Sequence, residues 1–471
     1  MILRIARKEF VELARDGRFR ASAAVVGILM VGALAVGWEG WRDISREHAR
    51  AEADSRERFE GQGEKNPHSA AHYGLHLFKP KSSLAFVDPG VDPYTGISVF
   101  VEAHRRNEVD YRPARDATAL ERFGDLTAAS VLQVLLPLVI IFLAFPAVAG
   151  EREQGTLRQV LSLGVRPRDL LLGKAIGLAA AMGIIVLPAV VVGAVLLSRV
   201  GDDAGAAWPR AAALAAGYLL YLAMFLAVSL FASIRAKSGR SALVALLGFW
   251  ILNTMVAPRL ATDLARRLHP TPSALEFASA IDREIREGVD GHDPQDERIR
   301  RLEEELLDRY DVDFVEDLPI NFQGVALQAG EDHGNAVFDR HYDALWSTFD
   351  HQDAARSALG FLAPTLAIRS LSMGLAGTDA VEHRAFAEAA EAHRRELVRL
   401  LNDDLATNGA DLGFMYQAGP ELWGQMPRFR FEPPPVAGTI ARLGPSWLAL
   451  GLWTIVAAAA AAWSARTLRI D

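Results

Sequence analysis

Six stretches of this chain are almost wholly apolar: residues 21–38, 128–149, 175–198, 211–233, 241–257 and 445–465. Their apolar side chains form blocks and do not recur at amphipathic spacing, so none has a continuous polar face to turn toward water. A helix of about 20 mostly apolar residues crosses the hydrocarbon core of a bilayer, and the usual range reaches down to roughly 17. The pattern predicts an all-α polytopic membrane protein with six transmembrane helices. The first run has a basic approach like that of a signal peptide. Its apolar part, however, exceeds an h-region of roughly 7–15 residues, and no small-x-small cleavage site ends it. It closes on Trp38 and Trp41, which suit a membrane–water interface, so we read it as a retained helix.

The placement of charge orients these helices. Arg4, Arg7, Lys8, Arg15, Arg18 and Arg20 precede the first run, and Arg152, Arg158, Arg166, Arg168 and Lys174 fill the link between the second and third. Arg235, Lys237 and Arg240 lie between the fourth and fifth, and Arg466 and Arg469 follow the sixth. All four segments share one side if every run crosses, and the positive-inside rule makes that side the cytoplasm. Residues 1–20 then form a cytoplasmic amphipathic helix, 150–174 a cytoplasmic segment and 466–471 a cytoplasmic tail. Residues 39–127 and 258–444 fall outside as two insertions, together over half of the 471 residues. The chain has no cysteine, so no disulfide can staple these insertions and they must fold by packing or against partners.

Pattern within the insertions is mostly helical. Residues 38–62, rich in Arg, Glu and Ala, extend the first span outward. Turn-forming pairs then punctuate 66–107, where Ile97–Val101 reads as a short strand. Helices are expected over 272–286, with Ser273 as N-cap, and over 293–310, 321–350 and 379–405. Residues 431–437, with three consecutive prolines, read as an extended tether back to the membrane. The expectation is one large, mostly helical extracytoplasmic domain built from both insertions.

The charged link at 150–174 holds the densest chemistry. Gly150 ends the second span, a short amphipathic helix runs from Leu157 to Leu163, and Gly164 stops it. Pro167 and Asp169 suit the first turn of the next helix. Gly150-Glu-Arg-Glu-Gln-Gly-Thr-Leu157 followed by Leu161-Ser-Leu-Gly-Val-Arg-Pro-Arg-Asp-Leu-Leu-Leu-Gly-Lys174 resembles the signature of ABC-2-type transporter permeases. Arg7-Lys-Glu-Phe-Val-Glu-Leu-Ala-Arg-Asp-Gly-Arg-Phe19 is similar to the amphipathic helix that such permeases lay along the inner surface. Asn66–Gly74, Asp88–Gly96 and Ile368–Asp379 resemble a bacterial branch with a DUF3526-type region outside the membrane.

That resemblance implies a permease subunit in a bacterial inner membrane, with about six spans per half-transporter, whose 150–174 loop carries a coupling helix for an ATPase subunit. The contact residues it implies are Glu151, Arg152, Glu153, Gln154, Gly155, Thr156, Leu157, Val165, Arg166, Pro167, Arg168 and Asp169. One coupling loop per chain implies a second permease, identical or a sister subunit, and the family implies export. The size of the insertions keeps open an alternative: a mechanotransmitting subunit that relays ATP hydrolysis to an extracytoplasmic partner without transport.

Missing motifs limit what this chain does alone. The nearest approach to a P-loop, Gly173-Lys174, has Arg168 in place of the first glycine and Ala175 in place of the hydroxyl. The chain is therefore read as no enzyme and as carrying no cofactor of its own, with ATP and Mg²⁺ on the partner ATPase. Neither Gly-x-Ser-x-Gly nor His-Glu-x-x-His occurs, and nothing points to nucleic acid. Gln133 and Asn253 are lone polar groups in apolar runs; they suit either a translocation path or interhelical hydrogen bonds, the commoner use. No span has an unambiguous central ionisable residue, which disfavours an ion-coupled carrier. His68, His72 and His76 would align on one face of a continuous helix, with reach for a divalent metal. Gly74 weakens that helix and no Cys or nearby carboxylate completes the set, so the reading is no metal. The pairs His292-Asp293 and Asp332-His333 invite the same reading with less support.

Overall fold

The computed structural model describes residues 1–112, 126–200, 204–287, 295–410 and 412–467. The pair His292-Asp293, the start of the expected 293–310 helix and most of the tail at 466–471 lie outside these residues. Six helices are long and apolar enough to cross a membrane: Gly17–Glu60, Ala128–Glu153, Pro167–Leu197, Gly205–Arg235, Gly239–Leu268 and Gly444–Arg466. They contain the six apolar runs except for Ser198, which caps the third helix, and most extend beyond them where charged residues carry the helix on. The longest, the 44-residue Gly17–Glu60, starts at the N-cap Asp16, whose carboxylate accepts from the Arg18 amide at 2.8 Å.

The fourth span is the hub of the bundle, packing against the second, third, fifth and sixth. The helix Pro364–Ala376, which lies within the larger insertion, packs on the fourth and sixth spans and places Ala367, Ile368, Leu371 and Leu375 in their core. The second and fifth spans each contain one wide π turn, Val131–Leu135 and Leu252–Val256. Proline explains the fate of one carbonyl at the first. Pro137 has no N–H for the Gln133 carbonyl four residues back, and the Tyr221 hydroxyl donates to it instead at 2.9 Å.

A second core joins both insertions. Phe59, at the far end of the first helix, packs with Ala70, Leu77 and Val101 from the first insertion and with Phe386, Leu397, Leu401 and Trp423 from the second. The expected strand forms over Ser98–Val101 and pairs antiparallel with Leu75–Phe78. This small hairpin is the only sheet among the described residues. The longer helices expected in the second insertion form as Ala274–Glu287, Gln295–Tyr310, Phe322–Leu359 and Ala380–Asn408. Ser273 caps the first of these by accepting from the Glu276 amide at 3.2 Å, and Glu276 reaches back to the Ser273 amide at 2.8 Å.

Asp379 caps Ala380–Asn408 through the Glu382 amide at 3.0 Å, which buries the Glu382 side chain beside it. Burial pushes the Glu382 carboxyl up to about 7 from 4.5, with Arg210 opposing and Asp379 adding to the rise. The folded chain therefore holds this proton more tightly than the unfolded chain does. Its contribution to stability is complete below about pH 4.5 and is lost as pH rises through about 7. Thermal unfolding across that range should show a decline that Glu382→Gln flattens. Parallel pH curves for the two proteins would contradict this assignment.

Candidate functional site

The charged segment begins where the second span is broken and repaired. Pro146 interrupts the backbone ladder, and a single hydroxyl from the fourth span fills the gap. Ser233 accepts from the amides of Val148 at 3.0 Å and Ala149 at 3.1 Å, and donates to the Phe145 carbonyl at 2.7 Å. Pro146–Glu153 then runs on to a turn at Gly155, whose φ of +76° suits a residue without Cβ. The short helix Thr156–Ser162 follows, and Gly164, at φ +79°, ends it. Arg166 is extended, and Pro167 and Asp169 open the third span.

This path sorts the implied contact residues into two groups. Leu157 is buried in the membrane core, and Thr156, Val165, Pro167 and Asp169 are half-buried. Glu153, Gln154, Gly155, Arg166 and Arg168 are exposed, as are Arg158, Gln159 and Ser162 beside them. Leu163, at the end of the short helix, is 82% exposed. Glu151 and Arg152 turn inward instead. The Arg152 guanidinium donates to the carbonyls of Ile234, at 2.9 Å, and Ala236, covering the end of the fourth span.

Glu151 meets Lys174, the best-buried cation of the segment at 3% side-chain exposure. The Lys174 ammonium lies 2.9 Å from Glu151 Oε1 and 2.8 Å from Oε2 of Glu9, on the amino-terminal helix Ile2–Arg15. Lys8 adds a second cation 3.9 Å from Glu151. That helix lies directly on the third span because Gly173 and Gly177 leave room for it. A Cβ on Gly177 would sit 2.7 Å from the Glu9 Cβ, and one on Gly173 would sit 2.6 Å from Ile5. Gly173 and Gly177, four apart on one helix face, are the sequence signal for this close approach.

Gln133 and Asn253 sit in the two π turns, both buried. Gln133 donates to the Tyr218 hydroxyl at 3.0 Å, which bonds Ser372 at 2.8 Å, and Ser372 donates to Asp88. Tyr221 pairs with Thr365 at 2.9 Å, while the Thr365 amide donates to Asn253 at 3.2 Å. Both residues therefore belong to a network tying three spans to helix Pro364–Ala376. Sequence reasoning missed Tyr218, Tyr221 and Ser372; two tyrosines three apart in an apolar run were the available signal. A cavity of about 750 Å³ lies in the region formed by the insertions, at the bases of the fifth and sixth spans (Pro258, Pro445), with Arg106, Trp346, Arg369 and Arg384 in its wall.

The histidines divide differently from the helical expectation. His68 and His72 share the short helix Pro67–Tyr73, but Gly74 ends it and His76 lies on the strand, its ring 4.9 Å from that of Phe100. His104 comes to the first two in its place. Burial, then the neighbouring His104 and His72, push the His68 imidazole down to about 4.

Two regions of the chain match known families. Residues 274–432 match the family described as Domain of unknown function (DUF3526). Residues 106–259, which contain the second to fourth spans, most of the fifth and the charged segment, match the ABC-2 family transporter protein family. No curated protein matches the chain. The two matched regions agree with the resemblance carried by the motifs: in this multi-pass membrane protein, 106–259 is similar to the ABC-2 family transporter protein family and 274–432 to the DUF3526 family.

Proposed function

We propose that this chain is the transmembrane permease subunit of an ABC-2-type exporter, driven by ATP hydrolysis on a separate ATPase subunit. The ATPase docks on the tip formed by 153–168, on the cytoplasmic side of a bacterial inner membrane. Two permease chains, identical or sister subunits, complete the transporter. The observation that carries this reading is Leu163: an apolar side chain left uncovered at the end of a short helix, with Arg166 and Arg168 exposed nearby. An apolar anchor rimmed by charge is what a groove on a soluble partner recognises. Behind the tip, Lys174 fastens the second and third spans to the amino-terminal helix, so a push on the tip moves all three together.

A second reading is favoured by the first helix. Gly17–Glu60 runs unbroken from Phe19 in the membrane core to Phe59 in the core of the insertions. Such a helix relays motion to the far domain whether or not a solute crosses.

Co-purification with the ATPase tests the docking surface. Leu163→Asp should weaken the complex by about 2 kcal/mol or more, and reversing Arg166 and Arg168 to Glu should weaken it further, with membrane insertion intact. Undiminished ATPase association in both variants would remove the proposed interface. Gly177→Leu should force the amino-terminal helix off the third span and lower transport per ATP hydrolysed while the ATPase stays bound. The second reading is tested with Arg46→Pro, which breaks the long helix in its exposed stretch at a cost of about 3 kcal/mol. If export is the function, substrate efflux from proteoliposomes survives this change better than ATP-driven motion of the far domain does. Loss of that motion with no efflux detectable in either protein favours relay.

A further inference from the structure

The first insertion brings three imidazoles to one point, in an arrangement that suits a metal ion. His68 and His72 stand one turn apart on Pro67–Tyr73, a helix fixed by Asn66, whose side chain accepts from the His68 amide at 2.9 Å. His104 arrives from the turn after strand Ser98–Val101, held at φ +64°, a backbone conformation rare for a residue with a side chain. Its Nε2 is 3.2 Å from the Nε2 of His68, which is also 3.2 Å from the Nε2 of His72. The ligand nitrogens of all three lie within 4.8 Å of one another.

Hydrogen bonding alone does not account for this arrangement. An imidazole nitrogen carries either one proton or one in-plane lone pair, so His68 Nε2 can make only one good hydrogen bond, yet it has two partners at the same distance. A central cation removes the conflict, because all three lone pairs then point to it. The spacing fits: with Zn–N bonds of about 2.0–2.1 Å, two nitrogens of a tetrahedral site stand about 3.3 Å apart.

The neighbours of His104 complete the case. Its Nδ1 lies 2.8 Å from a carboxylate oxygen of Glu331, and its backbone amide donates to the same oxygen at 2.6 Å. A carboxylate on Nδ1 fixes the proton there and leaves the Nε2 lone pair free for a metal, the usual arrangement behind a metal-bound histidine. Glu331 is itself only 2% exposed and is paired with Arg394 at 2.9 Å, so its position is set by the helix Ala380–Asn408. The site faces solvent, with the His104 side chain 42% exposed, and leaves room for a fourth ligand.

We propose that His68, His72 and His104 bind a divalent transition-metal ion, Zn²⁺ by geometry, with Glu331 as the residue that positions His104. The ion closes the junction between the two insertions, since His68, His72 and His104 come from the first and Glu331 from the second. Water or a side chain from a partner takes the fourth position. The sequence-based reading of no metal missed this because His104 is brought in by a turn 32 residues beyond His72. This site is independent of the ATPase-docking interpretation, and its test reads metal content alone.

The test uses the full-length chain without a polyhistidine tag, in detergent, stripped with EDTA and titrated with Zn²⁺. The expected result is one Zn²⁺ retained per chain after gel filtration, and a rise in Tm on adding Zn²⁺. His72→Ala and His104→Ala should each weaken binding at least about tenfold, and Glu331→Gln by about 10–100-fold, while the metal-free Tm of the two histidine variants stays near that of the parent chain. Replacing Zn²⁺ with Co²⁺ should give the visible absorption of a tetrahedral site in the parent chain and not in His72→Ala. No saturable uptake by the parent chain, or unchanged affinity in both histidine variants, overturns the proposal and leaves three hydrogen-bonded neutral imidazoles.

Discussion

The ammonium of Lys174 stands between two carboxylates from other parts of the chain, Glu9 and Glu151, and is nearly out of reach of water. Taking a charge into such a place is unfavourable unless it is paired, and removing one partner of a buried pair typically costs about 3–5 kcal/mol. Glu9 and Glu151 are thus bound to the third span by the need to keep one cation satisfied. The close approach at Gly173 and Gly177 makes the geometry possible, because a larger side chain at either position would hold the amino-terminal helix away from Lys174. The result is one mechanical unit made from the amino-terminal helix, the end of the second span and the start of the third.

Elsewhere in the bundle the same principle operates with neutral groups. In a bilayer, a backbone carbonyl or amide released by a proline must find a partner within the protein. Ser233 provides that partner at Pro146 and Tyr221 does so at Pro137, and both come from the fourth span. The fourth span therefore serves as the repair strip for the breaks in the second. The second span can bend at these two points without exposing polar backbone, as long as it stays against the fourth.

The six long apolar helices are legible in the sequence because length and apolarity are local properties that a bilayer enforces directly. The helix cap Ser273 is legible for the same reason: the cap and the amide it serves are three residues apart. What sequence reasoning missed depends on distant contacts. The strand Leu75–Phe78 owes its conformation to Ser98–Val101, and the stop that Gly74 puts to the preceding helix sends His76 elsewhere. Helix Pro364–Ala376 is too short to register as a span, yet it shares a buried core with the spans because the fourth and sixth leave an apolar bed for it. Gln133 and Asn253 could be singled out as unusual, but their partners Tyr218 and Thr365 are separated from them by about a hundred residues of sequence, and no local pattern reveals such pairings.

The first helix has a consequence of scale. At about 1.5 Å per residue its 44 residues reach roughly 66 Å, about twice the hydrocarbon thickness of a bilayer. A rod of that length is an angular amplifier. A tilt of about 5° at the end near Phe19 carries the end near Phe59 sideways by roughly 6 Å, more than the width of a side chain. At that far end the core of the insertions is packed around Phe59 and moves with it. On the relay reading proposed above, small rearrangements among the membrane helices, too slight to open a wide passage between them, would thus become displacements large enough to make or break contacts at the far end of this helix.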